Sequence, residues 1–248
     1  MEWQRWMTSW DRQQEGYLPD REERFSTMLD VVDATRGSAP YVLDLACGLG
    51  SITDRVLERF PRARVVGLDI DPALLALNRA AHDTDSRVTV VEANLSTPAW
   101  LQALTDETFD AVLTATALHW LPAERVRRLY AEVSTVLRPE GVFCNADHMP
   151  SESSPLRKRI GDYIATRQRA TFAQPTALDW TSWWEALGAE PEFSALVARR
   201  IELFGGEGHP AEETPDAEWH LQSLRDGGFI DAAVVWRRYD DAVVAGLR

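Results

Sequence analysis

The chain has 248 residues, 45% of them hydrophobic and 26% charged, and a formal net charge of −13 from 39 acids against 26 bases. That acid excess argues against a nucleic-acid partner, because a protein that grips a polyanion shows a basic face. No run approaches the ~20 apolar residues of a membrane span, and two cysteines, Cys47 and Cys144, are too few for a disulfide framework or a Cys-rich metal site.

The N-terminus has no apolar run behind a basic flank, so no secretory signal is expected and a cytoplasmic location is the default. Trp3, Trp6 and Trp10 recur at helical spacing. From residue 41 to 149 strand and helix signals alternate. "YVLDLAC" (41–47) is a short apolar strand and residues 51–60 form a helix. "ARVVGLDI" (63–70) is the second strand, followed by a helix with Asp71 as N-cap and Pro72 at its first position. "RVTVVEAN" (87–94) and "FDAVLTATAL" (109–118) are the third and fourth strands. "PAERVRRLYAEVSTVL" is a helix that "PEG" closes, and "VFCNADHM" (142–149) is the fifth strand. Such alternation with short links predicts a parallel sheet covered by helices on both faces.

After Met149 the pattern changes. Residues 150–213 read as helical pieces broken at Pro155, Pro175, Pro191 and "GGEGHP" (205–210), with Trp180, Trp183 and Trp184 clustered among them. A helix capped by Thr214 and closed by Gly227 and Gly228 follows, and the last apolar runs form a hairpin. The basic triplets 157–159 and 198–200 read as solvated helix faces. The two tryptophan groups have two readings: packing of a cap onto the core, or an aromatic pocket for a flat or apolar substrate.

"VLDLACGLGSITDRV" (42–56) carries the chemistry. Gly48 and Gly50 stand where a strand hands over to a helix, which allows a tight turn and close approach of a ligand to main-chain N–H groups. Asp69 ends the second strand, where a carboxylate accepts from both hydroxyls of a ribose. Together they point to an adenosine-type ligand. A dinucleotide fingerprint would need a third glycine, and Thr53 stands in its place. Asp44 would repel a pyrophosphate but would attract an amino group, so the turn suits a zwitterionic ligand and disfavours a nicotinamide oxidoreductase.

With "VLDLACGLG", "VVGLDID", "VEANL", "FDAVLTATALHWL" and "LRPEGVF", residues 41–149 resemble the class I S-adenosylmethionine-dependent methyltransferases. "ALHW" (117–120) and "DREERFSTMLDVV" (20–32) look most like small-molecule members such as the trans-aconitate methyltransferase group. The resemblance implies a three-layer α/β sandwich around a mostly parallel, seven-stranded Rossmann-like sheet with a reversed C-terminal strand. It divides the chain into a core of 1–149 and 214–248, in which 1–40 form an N-terminal helical cap segment, and a helical substrate-cap insertion of 150–213. The implied cofactor is S-adenosylmethionine, leaving as S-adenosylhomocysteine.

Carried over residue by residue, Asp44, Ala46 and Gly48 would surround the methionine end and Gly50 would give the loop its close approach. Asp69 would hold the ribose and Ile70 would pack on adenine. Asn94 would accept from the adenine amino group, and the Leu95 N–H would meet a ring nitrogen. Thr114 would lie beside the methionine chain. Arg24 pairs the ligand carboxylate or is an exposed helix arginine. His119 and His148, at the ends of the fourth and fifth strands, are the candidate catalytic bases. For His119 the other reading is a structural hydrogen bond. Asp147 either orients His148 or points away, and of His209 and His220 at least one is expected to line the substrate pocket. No His or Cys pair has metal-ligand spacing, so no metal is expected. The partner expected is a small molecule, with neither nucleic acid nor membrane, for a monomer or homodimer. The alternative function is carboxyl transfer or cyclisation on the same cofactor site.

Overall fold

The computed structural model describes residues 3–105, 107–174, 177–205 and 214–248. Seven strands form one sheet: β1 (Tyr41–Leu45), β2 (Arg64–Asp69), β3 (Val88–Glu92), β4 (Phe109–Ala115), β5 (Leu137–His148), β6 (Asp231–Arg238) and β7 (Asp241–Leu247). Their order is β3-β2-β1-β4-β5-β7-β6, and β7 runs against both its neighbours while the remaining pairs are parallel. The chain moves outward from β1 to β3, then returns to the other side of β1 with β4. Open α/β sheets hold ligands at such a switch point, outside the carboxyl ends of the strands.

Because β1, β2 and β4 are buried on both faces, they read as continuous apolar runs. Leu43, Leu45, Val66, Val112 and Phe143 face α5 (Ala123–Val136), α9 (Ala217–Asp226) and a short 3₁₀ segment (Pro98–Leu104). Val42, Val65, Ala111, Leu113 and Cys144 face α2 (Arg21–Arg36) and α3 (Ser51–Arg59). This is the three-layer arrangement expected. A third apolar cluster joins α1 (Trp3–Tyr17) and α4 (Pro72–His82) to α7 (Trp180–Ala189) and α8 (Ser194–Phe204). The remaining helix, α6, spans Pro155–Phe172.

Three boundaries differ from expectation. "PEG" does not close α5, which ends at Val136. Leu137 already pairs with Phe109, and Glu140, at φ 60°, turns the strand before Val142 meets Ala111. Arg138, which precedes Pro139, belongs to this extended segment, as steric exclusion from the helical region requires. Asp216 caps α9 in place of Thr214, its carboxylate accepting from the Trp219 N–H at 2.8 Å.

His220 does not line a pocket. It is buried in α9, its Nδ1 2.6 Å from the Tyr130 hydroxyl, which also accepts from Asn145 Nδ2 at 3.2 Å. Burial drives the imidazole pKa down to about 4, against the pull of Asp147 and Asp216. In the unfolded chain the same histidine titrates near 6.5, so the unfolded state binds more protons between those values. The contribution of His220 is then fully present above pH 6.5 and is lost, by up to about 3 kcal/mol, as pH drops through 4, while the buried acids at the strand ends, whose pKa values are raised, act in the opposite direction. Urea unfolding of the wild type and of a His220 variant at pH 7 and pH 4.5 isolates it as a difference. In His220→Asn, which keeps an acceptor for Tyr130, the stability at pH 4.5 relative to pH 7 should be higher than in the wild type by up to about 3 kcal/mol.

Candidate active site at the carboxyl ends of β1, β2 and β4

After Leu45 the chain makes a loop in which Ala46, Gly48 and Gly50 all have left-handed φ, at 59°, 51° and 90°. Glycine adopts this at no steric cost, whereas Ala46 must be held there by its surroundings. Groups from α4 fix the loop at Gly48. Asn78 Nδ2 donates to the Gly48 carbonyl at 3.0 Å, and His82 bridges Asn78 Oδ1 at 2.9 Å and Asp54 Oδ1 at 3.0 Å. A Cβ on Gly50 would sit 3.1 Å from both Asn78 and His82, so the close approach this glycine allows is to α4. Neither residue stood out in the sequence; their i, i+4 spacing on one helix face was the available signal.

Asp44, one residue before the end of β1, is fully buried. Its Oδ2 accepts from the Thr53 N–H at 3.0 Å and hydroxyl at 2.7 Å, while Oδ1 is buried without a partner. Thr53, at the place of the absent third glycine, thus serves to hold this carboxylate. Burial lifts the Asp44 pKa to about 7, with the Asp69 charge adding to it and the Thr53 hydrogen bonds opposing. An unpaired carboxylate oxygen inside a protein is costly unless a ligand donates to it. An ammonium group would fit.

Asp69 is more engaged than the sequence suggested. Its Oδ2 accepts from the Gly48 N–H at 2.8 Å, and its Oδ1 accepts from the Ile70 and Asp71 N–H groups at 2.6 and 2.8 Å. The carboxylate therefore ties the glycine loop of β1 to the turn after β2. Asp71 caps α4 through the Ala73 and Leu74 N–H groups. Half-buried Ile70 lies between the two acids.

Asn94 is exposed at the end of β3, with Oδ1 accepting from the Ser96 N–H at 2.8 Å. Leu95 is buried and its carbonyl accepts from Arg125 Nε at 2.6 Å. Thr114 follows Leu113, the partner of Asp44 across β1 and β4, and its buried hydroxyl has no partner.

The two candidate bases diverge. His119, in the 3₁₀ turn after β4, has Nδ1 2.5 Å from Asp147 Oδ1, and its backbone N–H also reaches Asp147, at 3.2 Å. Asp147 is buried; burial works to raise its pKa, but the adjacent His119 and the His148 N–H hold it below the usual carboxylate range. So Asp147 orients His119, and strand alternation sends the His148 side chain the other way. His148 is exposed, 3.3 Å from Asp241. Arg24 is not an exposed helix arginine: it is buried, Nη2 meets Asp241 Oδ2 at 2.6 Å, and Nε and Nη1 lack partners. His209 lies outside the described residues.

The tryptophans cluster beside the glycine loop and α4. Trp6, Trp10, Trp183 and Trp184 pack edge to face, with centroids 4.9–6.3 Å apart, against Leu49 of the glycine loop and Leu74 and Leu77 of α4. Trp180 reaches towards the β4 side, 6.4 Å from Trp120. Among the described residues, no helix is long and apolar enough to cross a membrane, and no group of three His, Cys, Asp or Glu is arranged to hold a metal.

A 3-2-1-4-5-7-6 sheet with a reversed β7, an acid near the end of β1 and another ending β2 defines a class, and the comparisons agree with it. A methyltransferase-domain family model matches residues 42–141, and the chain belongs to the class I S-adenosylmethionine-dependent methyltransferases, whose cofactor is S-adenosylmethionine. It is similar to the trans-aconitate 2-methyltransferase of Azoarcus sp. (strain BH72), 34% identical over 204 residues that cover 80% of this chain and 72% of that protein. The enzyme of the same name from Methylobacterium nodulans is 28% identical over 240 residues, covering 88% of this chain and 87% of its own. An O-methyltransferase family protein from Burkholderia thailandensis shares the fold at a TM-score of 0.55 and 21% identity, across 90% of this chain. This chain spans 55% of that structure's length.

Proposed function

We propose that the protein transfers the methyl group of S-adenosylmethionine to a small-molecule substrate beneath a helical cap made by α6, α7 and α8. These are the described helices of the expected insertion 150–213, whose residues 175–176 and 206–213 lie outside the described ones. The observation that carries this reading is the buried, unpartnered Oδ1 of Asp44, at the switch point between β1 and β4. It is an acceptor suited to the amino group of the methionine end. The relatives named above carry trans-aconitate, a small molecule, in their names. The cap reading is supported by topology. The aromatic row runs from Trp120, which follows β4, through Trp180 to Trp184 and α4, which follows β2, and β1 lies between those two strands.

In this reading Asp44 receives the amino group, Asp69 the ribose hydroxyls, and Asn94 and the Leu95 N–H the adenine edge. Ile70 covers the ring and Thr114 lies along the methionine chain. Arg24 Nε and Nη1 are donors for an anionic group at the β5–β7 side. When bound, the cofactor supplies an electrophilic methyl group on a sulfonium. The chain's task is alignment, exclusion of water and removal of a proton. With its Nδ1–H held by Asp147, His119 presents Nε2 as the basic nitrogen and takes the proton of the substrate's nucleophile there.

Calorimetry with S-adenosylhomocysteine and with NADH tests the site. Binding of NADH and not of S-adenosylhomocysteine sinks the reading. A mass-spectrometric screen of metabolites for a gain of about 14 Da, one methyl for one hydrogen, identifies the substrate. Proton linkage gives a second check. With Asp44 half-protonated near pH 7, binding of an ammonium group beside it expels the proton. Affinity for S-adenosylhomocysteine should therefore rise with pH up to about 7 and then level, by up to about tenfold per pH unit. Asp44→Asn should bind more weakly and without that rise, and calorimetry in buffers of different ionisation enthalpy counts the proton released.

A further inference from the structure

The cap insertion sends one cation to the acids at the end of β2. Arg200 of α8 is largely buried and its Nε lies 2.8 Å from Asp71 Oδ2. The guanidinium lies over the Trp184 ring at 3.9 Å, with Phe204 at 5.1 Å and Trp180 at 5.6 Å. Such aromatic packing limits where the charge can go. Arg199 next to it pairs with Glu92, the last residue of β3, at 2.8 Å. α8 is thereby pinned across the ends of β2 and β3.

We propose that Arg200 is a positioning residue for the cofactor: it keeps the ribose-side turn of Asp69 and Asp71 charged and in place, so the cap and the cofactor site form one thermodynamic unit. This rests on the reading of Asp69 as the ribose acid. Half-buried Asp69 and buried Asp71 are two carboxylates with one residue between them, and like charges so placed oppose each other's ionisation. Arg200 is the cation that acts on both. The other charge bearing on Asp69 is Asp44, from β1, and it adds to the repulsion. Asp71 without its charge is a poorer N-cap for α4, and Asp69 without its charge is a weaker acceptor for Gly48, Ile70 and a ribose.

The test is Arg200→Gln and Arg200→Lys, read by S-adenosylhomocysteine calorimetry from pH 5.5 to 8.5 and by urea unfolding of the ligand-free chain. Arg200→Gln should weaken binding about tenfold at pH 7, and its affinity should fall off at higher pH than in the wild type. Without the cation the two acids titrate later in the folded protein, so the stability deficit of the ligand-free variant should grow as pH rises through neutrality. Arg200→Lys should keep the wild-type pH profile. Should Arg200→Gln fail to fold, Arg200→Met, which keeps apolar packing on Trp184, carries the same comparison. Equal losses at every pH, or profiles that overlay the wild type, overturn the role of Arg200 while leaving the cofactor reading intact. A wild-type protein that does not bind S-adenosylhomocysteine overturns both.

Discussion

Asp69→Ala should bind S-adenosylhomocysteine roughly 30- to 1000-fold more weakly than the wild type. Two hydrogen bonds from ribose hydroxyls to a carboxylate are lost, each worth about 1.5–3 kcal/mol and not fully additive. At about 1.4 kcal/mol per tenfold, this gives the range stated. The variant should also be less stable, because the carboxylate accepts from three backbone amides, those of Gly48, Ile70 and Asp71. A buried amide left without an acceptor costs about 1–3 kcal/mol, so a midpoint shift in urea should accompany the binding loss. Asp69→Asn keeps one acceptor oxygen but turns an NH₂ towards a backbone N–H, so it should retain part of the binding. A folded Asp69→Ala protein with undiminished affinity would remove the ribose from this carboxylate and with it the assignment of the motif.

His119→Ala should lower kcat by about 10²–10⁴ on the substrate found by the mass screen, the usual contribution of a positioned base. The affinity for S-adenosylhomocysteine should stay close to that of the wild type, because His119 is assigned to the substrate's proton and not to the cofactor. Asp147→Asn should approach the same loss, since an amide releases the Nδ1–H tautomer that the carboxylate selects at 2.5 Å. A substitution that only loosened the turn after β4 would instead lower stability with the pH profile of kcat unchanged. His148→Ala should leave kcat near wild type: its side chain is exposed and bonded to Asp241. Loss of turnover there with His119→Ala still active would exchange the two roles.

Much of this fold can be read along the chain because its local signals agree with one another. β-branched and apolar runs bounded by turns mark β1 to β4, and Asp71-Pro72 starts α4 as expected, with the carboxylate accepting from Ala73 and Leu74. The reversed strand pair is legible in the two apolar runs around the Tyr239-Asp240 turn. Where the reading slipped, a long-range pairing outweighed a local rule. Leu137 joins Phe109 before the strand signal at Val142 begins, and Asp216 stands nearer than Thr214 to the first free amides of α9.

The sequence by itself determined the cofactor class, because an acid near the end of one strand, a glycine turn and an acid ending the next strand lie close together in the chain. Only the tertiary structure decided which groups meet across distance. Asp147 lies 28 residues from His119 along the chain, and whether it served that residue or its neighbour His148 depended on which face of β5 it occupies. Arg24 became a buried partner of Asp241, His220 a core residue bonded to Tyr130, and Arg200 the counter-charge of Asp71. None of these has a local signature. Side-chain pairing between separate elements is set by register and helix docking, and those follow from how the whole apolar surface is buried.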